Sequence, residues 1–578
     1  MATEGRKVMR VRHLRISGFR GIQELDWMPD ASFLCLIGPG DSGKSTVLEA
    51  LELVLSPRWN PSFDDADFSN GDSTKVIEIT ATLGGVPDEL LLEGKFGLEA
   101  RGWDATQKKI HDEPQEGDEL VLSIRLRVDT SLEPVWTVVN DRHPEGKPIS
   151  AKNRERLGVA QLGSYVDWHL TWGKGTVLSR FTGKTGDMSA ILADVSRTAR
   201  KALEGTSLAS LDEAANRAQN IVKGVGVVPA RGYHAQLDVQ AVTIGQGGFS
   251  LHDGDVPVRR AGLGTRRLLS LALQRELVKQ GGIALLDEIE FGLEPHRIRR
   301  LLRVLRQDGD VTEGKSSEPF GQVLMTTHSP VVIQEIQASE LRIVRQTGGK
   351  VEVIVVPQDL QDVVRREPEA FLGARVLVCE GKTEVGFCRA LDTLWCRDGG
   401  RTPLASHGIV PVNGNGSQAP QTTLAFHRLG YEVVYWGDSD VQVSPTPDEL
   451  VKHGVTTVVW ADNLATEERI AQDLPWEGVV EMLQLAVGEH GEESILASVK
   501  NQLSGTDFSG QISADPNSWE DSPALRATIG KTAKSKGWFK RIGLGERLGD
   551  LIVEYLNRIP KTDLAQKLID LRKWVHGS

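Results

Sequence analysis

Two groups of residues in this 578-residue chain combine side-chain type and spacing in ways chemistry can use. The first is Gly38, Pro39, Gly40, Asp41, Ser42, Gly43, Lys44, Ser45 and Thr46, directly after the apolar run Phe33 to Ile37. It fits the P-loop pattern at each fixed position: Gly38, four residues, then Gly43, Lys44 and Ser45. Glycines let successive backbone N–H groups curl around phosphate oxygens without Cβ clashes. The amphipathic TVLEALELVL that follows predicts a helix whose positive N-terminal end faces the anion. Lys44 adds a point charge for the β- and γ-phosphates, and Ser45 is left to hold magnesium. The ligand implied is ATP. A chance match in a Gly-rich chain is the bland alternative, and the strand before and helix after the loop argue against it.

The second group is acidic. An apolar strand over Val376 to Cys379 delivers Glu380 to its end, Gly381 makes a turn, and Glu384 falls on the first turn of a predicted helix. A further strand, in YEVVYWGDSD, ends at Asp438 and Asp440. Acids at the strand ends of an open parallel sheet converge on one crevice. Carboxylates gathered there repel one another unless cations neutralise them. Hard oxygen ligands select Mg2+, Mn2+ or Ca2+ over zinc.

Other elements must position these groups. MRVRHLRISGFRGI alternates as a half-buried strand does, and KVIEITATL, DELVLSIRLRV and PVWTVVN read as strands of an antiparallel flank. In GIALLDEIEFGLEP the run Ile283 to Leu286 predicts a buried strand with Asp287 at its end, suited to holding magnesium through water. Glu288, next in line, is placed to polarise the attacking water. GQVLMTTHSP predicts a strand leading to His328, a candidate contact for the γ-phosphate, although a lone His is more often structural. Residues 156–225 carry helical periodicity and interrupt the nucleotide motifs, as an inserted interaction module would; a packed subdomain without a partner is the alternative.

Composition bounds the class. Hydrophobic content of 39% and charged content of 25% describe an ordinary soluble protein. No apolar run approaches the roughly 18 residues of a membrane span, and MATEGRKVMRVRH lacks a signal-peptide core. The expectation is a cytoplasmic protein with no membrane partner. Cys35, Cys379, Cys388 and Cys396 form no CxxC pair, so neither a disulfide framework nor a zinc site is indicated. A net charge of -12 argues against indiscriminate coating of nucleic acid. Local basic patches remain: Arg297, Arg299, Arg300, Arg303 and Arg306 on one short helix, and Lys531, Lys534, Lys536, Lys540 and Arg541 near the C-terminus. Solvated faces are the commoner reading of such runs.

The ISGFRGI entry strand, the P-loop, AGLGTRR with Gly262 and Gly264, LLDEIE and TTHSP occur in an order that resembles the ATP-binding-cassette ATPases of the structural-maintenance-of-chromosomes (SMC) and RecF type. AGLGTRR stands where the LSGGQ signature belongs, keeping Gly262 and Gly264 but lacking the serine. In that superfamily the signature acts on ATP bound to a second head, so the resemblance implies a homodimer or higher oligomer. Glu at a strand end, Glu four residues later and a DxD strand resemble the topoisomerase-primase (Toprim) domain. The combination is similar to the overcoming-lysogenization-defect (OLD) family of nucleases, and this likeness covers nearly the whole chain.

The fold implied is α/β: an ABC-type, SMC/RecF-like P-loop ATPase with a helical dimerisation insertion, then a Rossmann-like Toprim domain. The expected boundaries are 1–155 and 226–365 for the ATPase, 156–225 for the insertion and 366–578 for the Toprim nuclease. By the same likeness two metal ions are held by Glu380, Glu384, Asp438 and Asp440, with Glu384 as general base. Glu467 is the preferred further ligand, against a reading as helix-surface charge. Lys540 is the preferred lysine for the transition-state phosphate, against simple backbone contact. Gln442 stands where topoisomerases carry another acid, and no companion tyrosine module is evident, so a topoisomerase reaction is not expected. The function implied is an ATP-regulated, metal-dependent DNA endonuclease in phage defence or DNA processing, working alone or with a helicase-like partner. The rivals are an SMC/RecF-like repair or structural ATPase whose Toprim domain only binds nucleic acid, and a nucleotide sensor that scarcely hydrolyses ATP.

Overall fold

The computed structural model describes residues 8–57, 61–162, 251–277, 281–306, 321–399, 401–503 and 515–577, with isolated positions between 170 and 213. Its first half is organised on the strand Phe33–Ile37, whose residues are all buried. A short run of apolar residues without alternation is what a strand covered on both faces requires. Gln322–Thr326 pairs with it in parallel on one side and Leu341–Thr347 on the other. Ile283–Leu286 and then Val159–Leu162 extend the parallel block. Beyond Leu341–Thr347 the sheet becomes mixed, running through Lys350–Val355, Ile22–Trp27, Arg10–Phe19, Ile77–Gly84 and Glu119–Val128. The last three alternate in burial over part of their length, and they form the expected antiparallel flank. The helix Lys44–Leu55 buries Val47, Leu48, Leu51, Val54 and Leu55 against this sheet. At about 1.5–3 kcal/mol for each large side chain, that face fixes the helix to the P-loop strand.

The segment expected to open the helical insertion at 156 begins differently. Val159–Leu162 is a strand of the main sheet, paired with Ile283–Leu286, so any insertion starts after it. The rest of 156–225 lies outside the described residues, apart from the isolated positions.

A second sheet carries Ile409–Asn413, Arg375–Cys379, Glu432–Gly437 and Thr456–Val459 in that spatial order, all parallel. The first strand in sequence lies between the second and the third, so the chain crosses away on both sides of it. A crevice opens at the C-terminal strand ends of such a switch point. The helix Lys382–Gly399 packs against Ile542–Tyr555 through glycines. A Cβ on Gly545 would stand 2.3 Å from the Thr383 carbonyl oxygen, and one on Gly386 would stand 2.1 Å from that of Ile542. Backbone therefore meets backbone at the crossing, which anchors the turn that carries Glu384.

The two sheets share apolar contact. One buried cluster holds Ile37, Ile343 and Met325 of the first sheet, Phe371 of the connection, and Val376, Val378 and Tyr435 of the second. Among the described residues no helix is long and apolar enough to cross a membrane. All four cysteines are free thiols, with Cys35, Cys379 and Cys388 buried as small apolar groups.

Candidate nucleotide and metal sites

The P-loop backbone takes the left-handed conformations its sequence anticipates: φ is 140° at Gly38, 56° at Asp41 and 93° at Gly43. Gly38 is also held by space, since a Cβ there would lie 2.6 Å from the Val344 carbonyl oxygen. The Lys44 ammonium donates to the carbonyls of Gly38 (3.1 Å) and Pro39 (2.7 Å) and to Ser42 Oγ (3.3 Å). Burial lowers its pKa, and the charges of Asp41, Asp287 and Glu288 oppose that shift. The helix beginning at Lys44 has no side-chain cap, so its first N–H groups are left to an anion.

The magnesium residues expected from sequence meet. Ser45 Oγ donates to Asp287 Oδ1 at 2.9 Å, and Thr326 Oγ1 donates to the same oxygen at 2.5 Å. Glu288 donates its N–H to Thr326 Oγ1 (2.8 Å), has φ 45° and exposes its side chain. A left-handed non-glycine residue costs on the order of 1–3 kcal/mol, a strain found at sites where side-chain direction matters. The exposed His328 is anchored by its backbone N–H on Glu290 Oε1 (2.7 Å), and Thr327 Oγ1 donates to the other oxygen of Glu290 (2.6 Å). The helix Leu263–Leu277 carries Gly264 buried and Gly262 exposed just before it. From that helix the buried Arg267 donates to the carbonyls of Asp287 (2.9 Å), Glu288 (2.7 Å) and Phe291 (2.8 Å).

In the second sheet, the ends of Arg375–Cys379 and Glu432–Gly437 bring Glu380 and Asp438 side by side. Glu380 Oε2 accepts the Asp438 N–H at 2.7 Å and the Tyr435 hydroxyl at 3.4 Å. A Cβ on Gly437 would stand 2.8 Å from Glu380 Oε2, so glycine is what leaves the carboxylate room. Glu384 accepts from the Gly381 N–H (2.9 Å) and from Thr466 Oγ1 (2.8 Å). Asp438 Oδ1 accepts the N–H of Thr466 (2.9 Å) and lies 2.8 Å from the same Oγ1, whose single proton serves only one of the two carboxylates at a time. Asp440 pairs with Lys534, whose ammonium also lies 3.9 Å from Glu468.

The electrostatics show a deficit of positive charge. Burial, then the charges of Glu384, Glu380 and Glu467, push Asp438 well above the ordinary carboxylate range. Burial and the Glu384 charge raise Glu380, while the Asp438 N–H opposes the shift. Burial and Glu384 push Glu467 up to about 7, with Lys540 acting the other way. Glu380, Glu384, Asp438 and Glu467 offer hard oxygens with no ion-paired cation among the described residues, while Asp440 is paired with Lys534; such donors suit a divalent cation. Among the described residues no three acidic, imidazole or thiol groups already form a cation cage. Thr466 occupies Glu384 and Asp438, and Lys534 occupies Asp440. The residues thus fit a hard cation by chemistry and by shared location, and their present partners would have to yield oxygen atoms to it.

A family model described as "AAA domain, putative AbiEii toxin, Type IV TA system" matches residues 33–334, just over half of the chain. The chain belongs to this AAA-domain family. The matched span runs from the P-loop strand through Asp287, Glu288 and His328, the residues that the AAA-family fold gathers here. A curated relative, the OLD nuclease of Thermus scotoductus (strain ATCC 700910 / SA-01), is 23% identical over 371 residues, 58% of this chain and 62% of that protein. The AAA-family chain therefore matches less than two thirds of that relative's length, and the expected OLD resemblance is met. Among solved structures, an Smc head bound to the C-winged helix domain of ScpA has a TM-score of 0.31 at 15% identity, covering 60% of this chain and 97% of that one. The recombination mediator RecF with ATP has a TM-score of 0.32 at 12% identity, covering 60% and 99%. Superpositions this loose carry no functional argument.

Several residues of this AAA-family chain escaped sequence reasoning. Thr466 directly precedes Glu467 but belongs to no acidic or strand-end pattern in the sequence. Lys534 stood in the basic cluster, but it is Lys534 that reaches Asp440, while Lys540 is exposed and acts on Glu467 through its charge. Arg267 lies within the AGLGTRR stretch without any pattern to mark its grip on the Asp287 turn. Of the arginine-rich helix Pro295–Arg306, Arg299 pairs with Glu335 and Arg306 with Glu340, so those two guanidiniums already have carboxylate partners.

Proposed function

We propose that the chain is an ATP-regulated, divalent-metal-dependent nuclease that hydrolyses DNA phosphodiesters, with its C-terminal half serving as a Toprim module. The observation that carries the reading is the meeting of Glu380, Glu384, Asp438 and Glu467 in one buried crevice, where Glu380 accepts the Asp438 N–H, Glu384 and Asp438 share Thr466, and burial with mutual repulsion raises the pKa of Glu380, Asp438 and Glu467. Such a cluster persists in a folded protein when a ligand of opposite charge repays its repulsion. Bound by these carboxylates and Asp440, one or two divalent ions would supply an activated water and charge stabilisation for the leaving oxygen. Glu384 then accepts the proton of the attacking water, a P–O bond of the backbone breaks, and the proton passes to the departing oxygen. Lys534 and Lys540 offer positive charge to the phosphate in the transition state.

At the P-loop, Lys44 and the free N–H groups hold the ATP phosphates, Ser45 and Asp287 hold the magnesium and Glu288 orients the hydrolytic water. Gly262 and Gly264 face ATP on a second copy in a homodimer. The relative named OLD nuclease supports the nuclease reading; the likeness of the motifs to the OLD family is what suggests phage defence or DNA processing, in the cytoplasm, alone or with a helicase-like partner.

Supercoiled plasmid incubated with the full chain across a Mg2+ and Mn2+ series tests this reading. Nicked or linear product is expected, and Glu380→Ala and Asp438→Ala should each abolish it. Cutting that survives both substitutions refutes the assignment. One observation favours a second reading, a module that binds nucleic acid without cutting: Thr466 and Lys534 already occupy one oxygen each of Glu384, Asp438 and Asp440. Tight plasmid binding with no cleavage at any metal concentration would decide for it.

A further inference from the structure

Thr466 has no solvent exposure, and its hydroxyl is contacted on three sides. Trp460 Nε1 donates to Oγ1 at 2.9 Å, while Glu384 Oε1 and Asp438 Oδ1 each lie 2.8 Å from it. A hydroxyl has one proton and two lone pairs. The indole N–H fills one lone pair, which leaves the single proton for one carboxylate and the remaining lone pair facing the other. Trp460 is itself 2% exposed and packs edge-on against Trp436, with ring centroids 6.2 Å apart, so its N–H has little freedom to move. Glu384 comes from the helix after one strand and Asp438 from the end of another. Among the described residues, Thr466 is the side chain in hydrogen-bond contact with both carboxylates.

We propose that Thr466, oriented by Trp460, is a positioning residue that fixes the separation of Glu384 and Asp438 and thereby sets the affinity of the crevice for a divalent cation. This rests on reading the crevice as a cation site. Thr466 neither ligates nor reacts; it holds two mutually repelling carboxylates on either side of one hydroxyl. Removing a group that orients metal ligands typically costs about 10–100-fold in metal affinity.

Mn2+ binding to the full chain without DNA, read by calorimetry and by the paramagnetic resonance of free Mn2+, tests the proposal. Thr466→Val keeps the shape and removes the hydroxyl; it should weaken Mn2+ binding about tenfold or more. Thr466→Ser keeps the hydroxyl and should stay within about threefold of the parent. ATP binding on the same preparations reports folding, and if the valine variant fails to fold, Thr466→Ala takes its place with the same expectation. Plasmid cleavage by the variant lacking the hydroxyl should recover at high Mn2+. Parent-like Mn2+ affinity in that variant, alongside weakened binding in Glu384→Gln, overturns the positioning role and leaves the cation site standing. Equal losses in the serine and valine variants overturn it too, because the hydroxyl would then not be the cause. A parent chain that binds no Mn2+ brings down the cation site and this proposal together.

Discussion

Glu467 keeps its proton to about pH 7 in the folded chain because it is buried beside Glu384. Unfolded, the same side chain ionises near its ordinary value of 4.5. Between these values the folded state binds more protons than the unfolded one, so stability is full below about pH 4.5 and falls as pH rises toward 7. One pKa unit corresponds to about 1.4 kcal/mol, which puts the loss at about 3 kcal/mol. Thermal melts of the metal-free chain should therefore drop in Tm across that window. Glu467→Gln should flatten the slope, and a slope unchanged by that substitution would show that another group carries it. At the P-loop, Lys44→Ala should remove measurable ATP binding, since the ammonium is the one side-chain cation that the loop wraps; normal affinity in a filter-binding assay would contradict this. Residue chemistry was legible where it sat at fixed spacing, as in Gly38 to Ser45. It was not legible for Thr466, whose partners lie 82 and 28 positions away, or for Lys534, 94 positions from Asp440.

At the scale of elements, reading was easier because an apolar run ending in an acid is a local pattern. Ile283–Leu286 before Asp287, Arg375–Cys379 before Glu380 and Glu432–Gly437 before Asp438 are all strands of parallel sheets. The order of strands within each sheet was not legible, since it depends on pairings between distant segments. Val159–Leu162 escaped because a short edge strand beside helical periodicity leaves too few residues to show its own. The glycines of Ile542–Tyr555 escaped for a related reason: helix propensity makes glycine a cost of about 1 kcal/mol, and only the crossing partner explains it. That crossing supports a prediction. Gly545→Ala puts a methyl 2.3 Å from the Thr383 carbonyl oxygen, so the two helices must part at the turn that holds Glu384. Overpacking of this kind costs about 1–3 kcal/mol. Denaturant melts should show that loss, and metal-dependent cleavage should fall while ATP affinity holds. Parent-like stability together with parent-like cleavage would mean that the crossing does not position the site.

At the scale of the molecule, the two halves meet where a strand beside the P-loop touches a strand that ends in the acidic crevice. Leu341–Thr347 runs parallel to Phe33–Ile37, and its Val344 carbonyl stands against Gly38. The next residue, Arg345, lies over the Tyr431 ring at 3.9 Å. Its Nε and Nη2 have no hydrogen-bond partner among the described residues, so the aromatic face is its main partner. Tyr431 donates its hydroxyl to the Phe371 carbonyl (2.8 Å) and directly precedes Glu432–Gly437, the strand that delivers Asp438. A cation over a desolvated ring contributes up to about 2 kcal/mol, enough to bias the relative placement of two packed sheets. If nucleotide at the P-loop regulates the crevice, this stacked pair is one contact able to carry the effect. Arg345→Ala should leave ATP affinity and Mn2+-dependent cleavage in place while the ratio of cleavage with and without ATP moves toward one. The comparison needs plasmid cleavage rates for parent and variant at saturating Mn2+, with ATP present and absent. A ratio identical in the two proteins would place the coupling elsewhere, and a parent ratio of one would show that ATP does not gate the crevice at all.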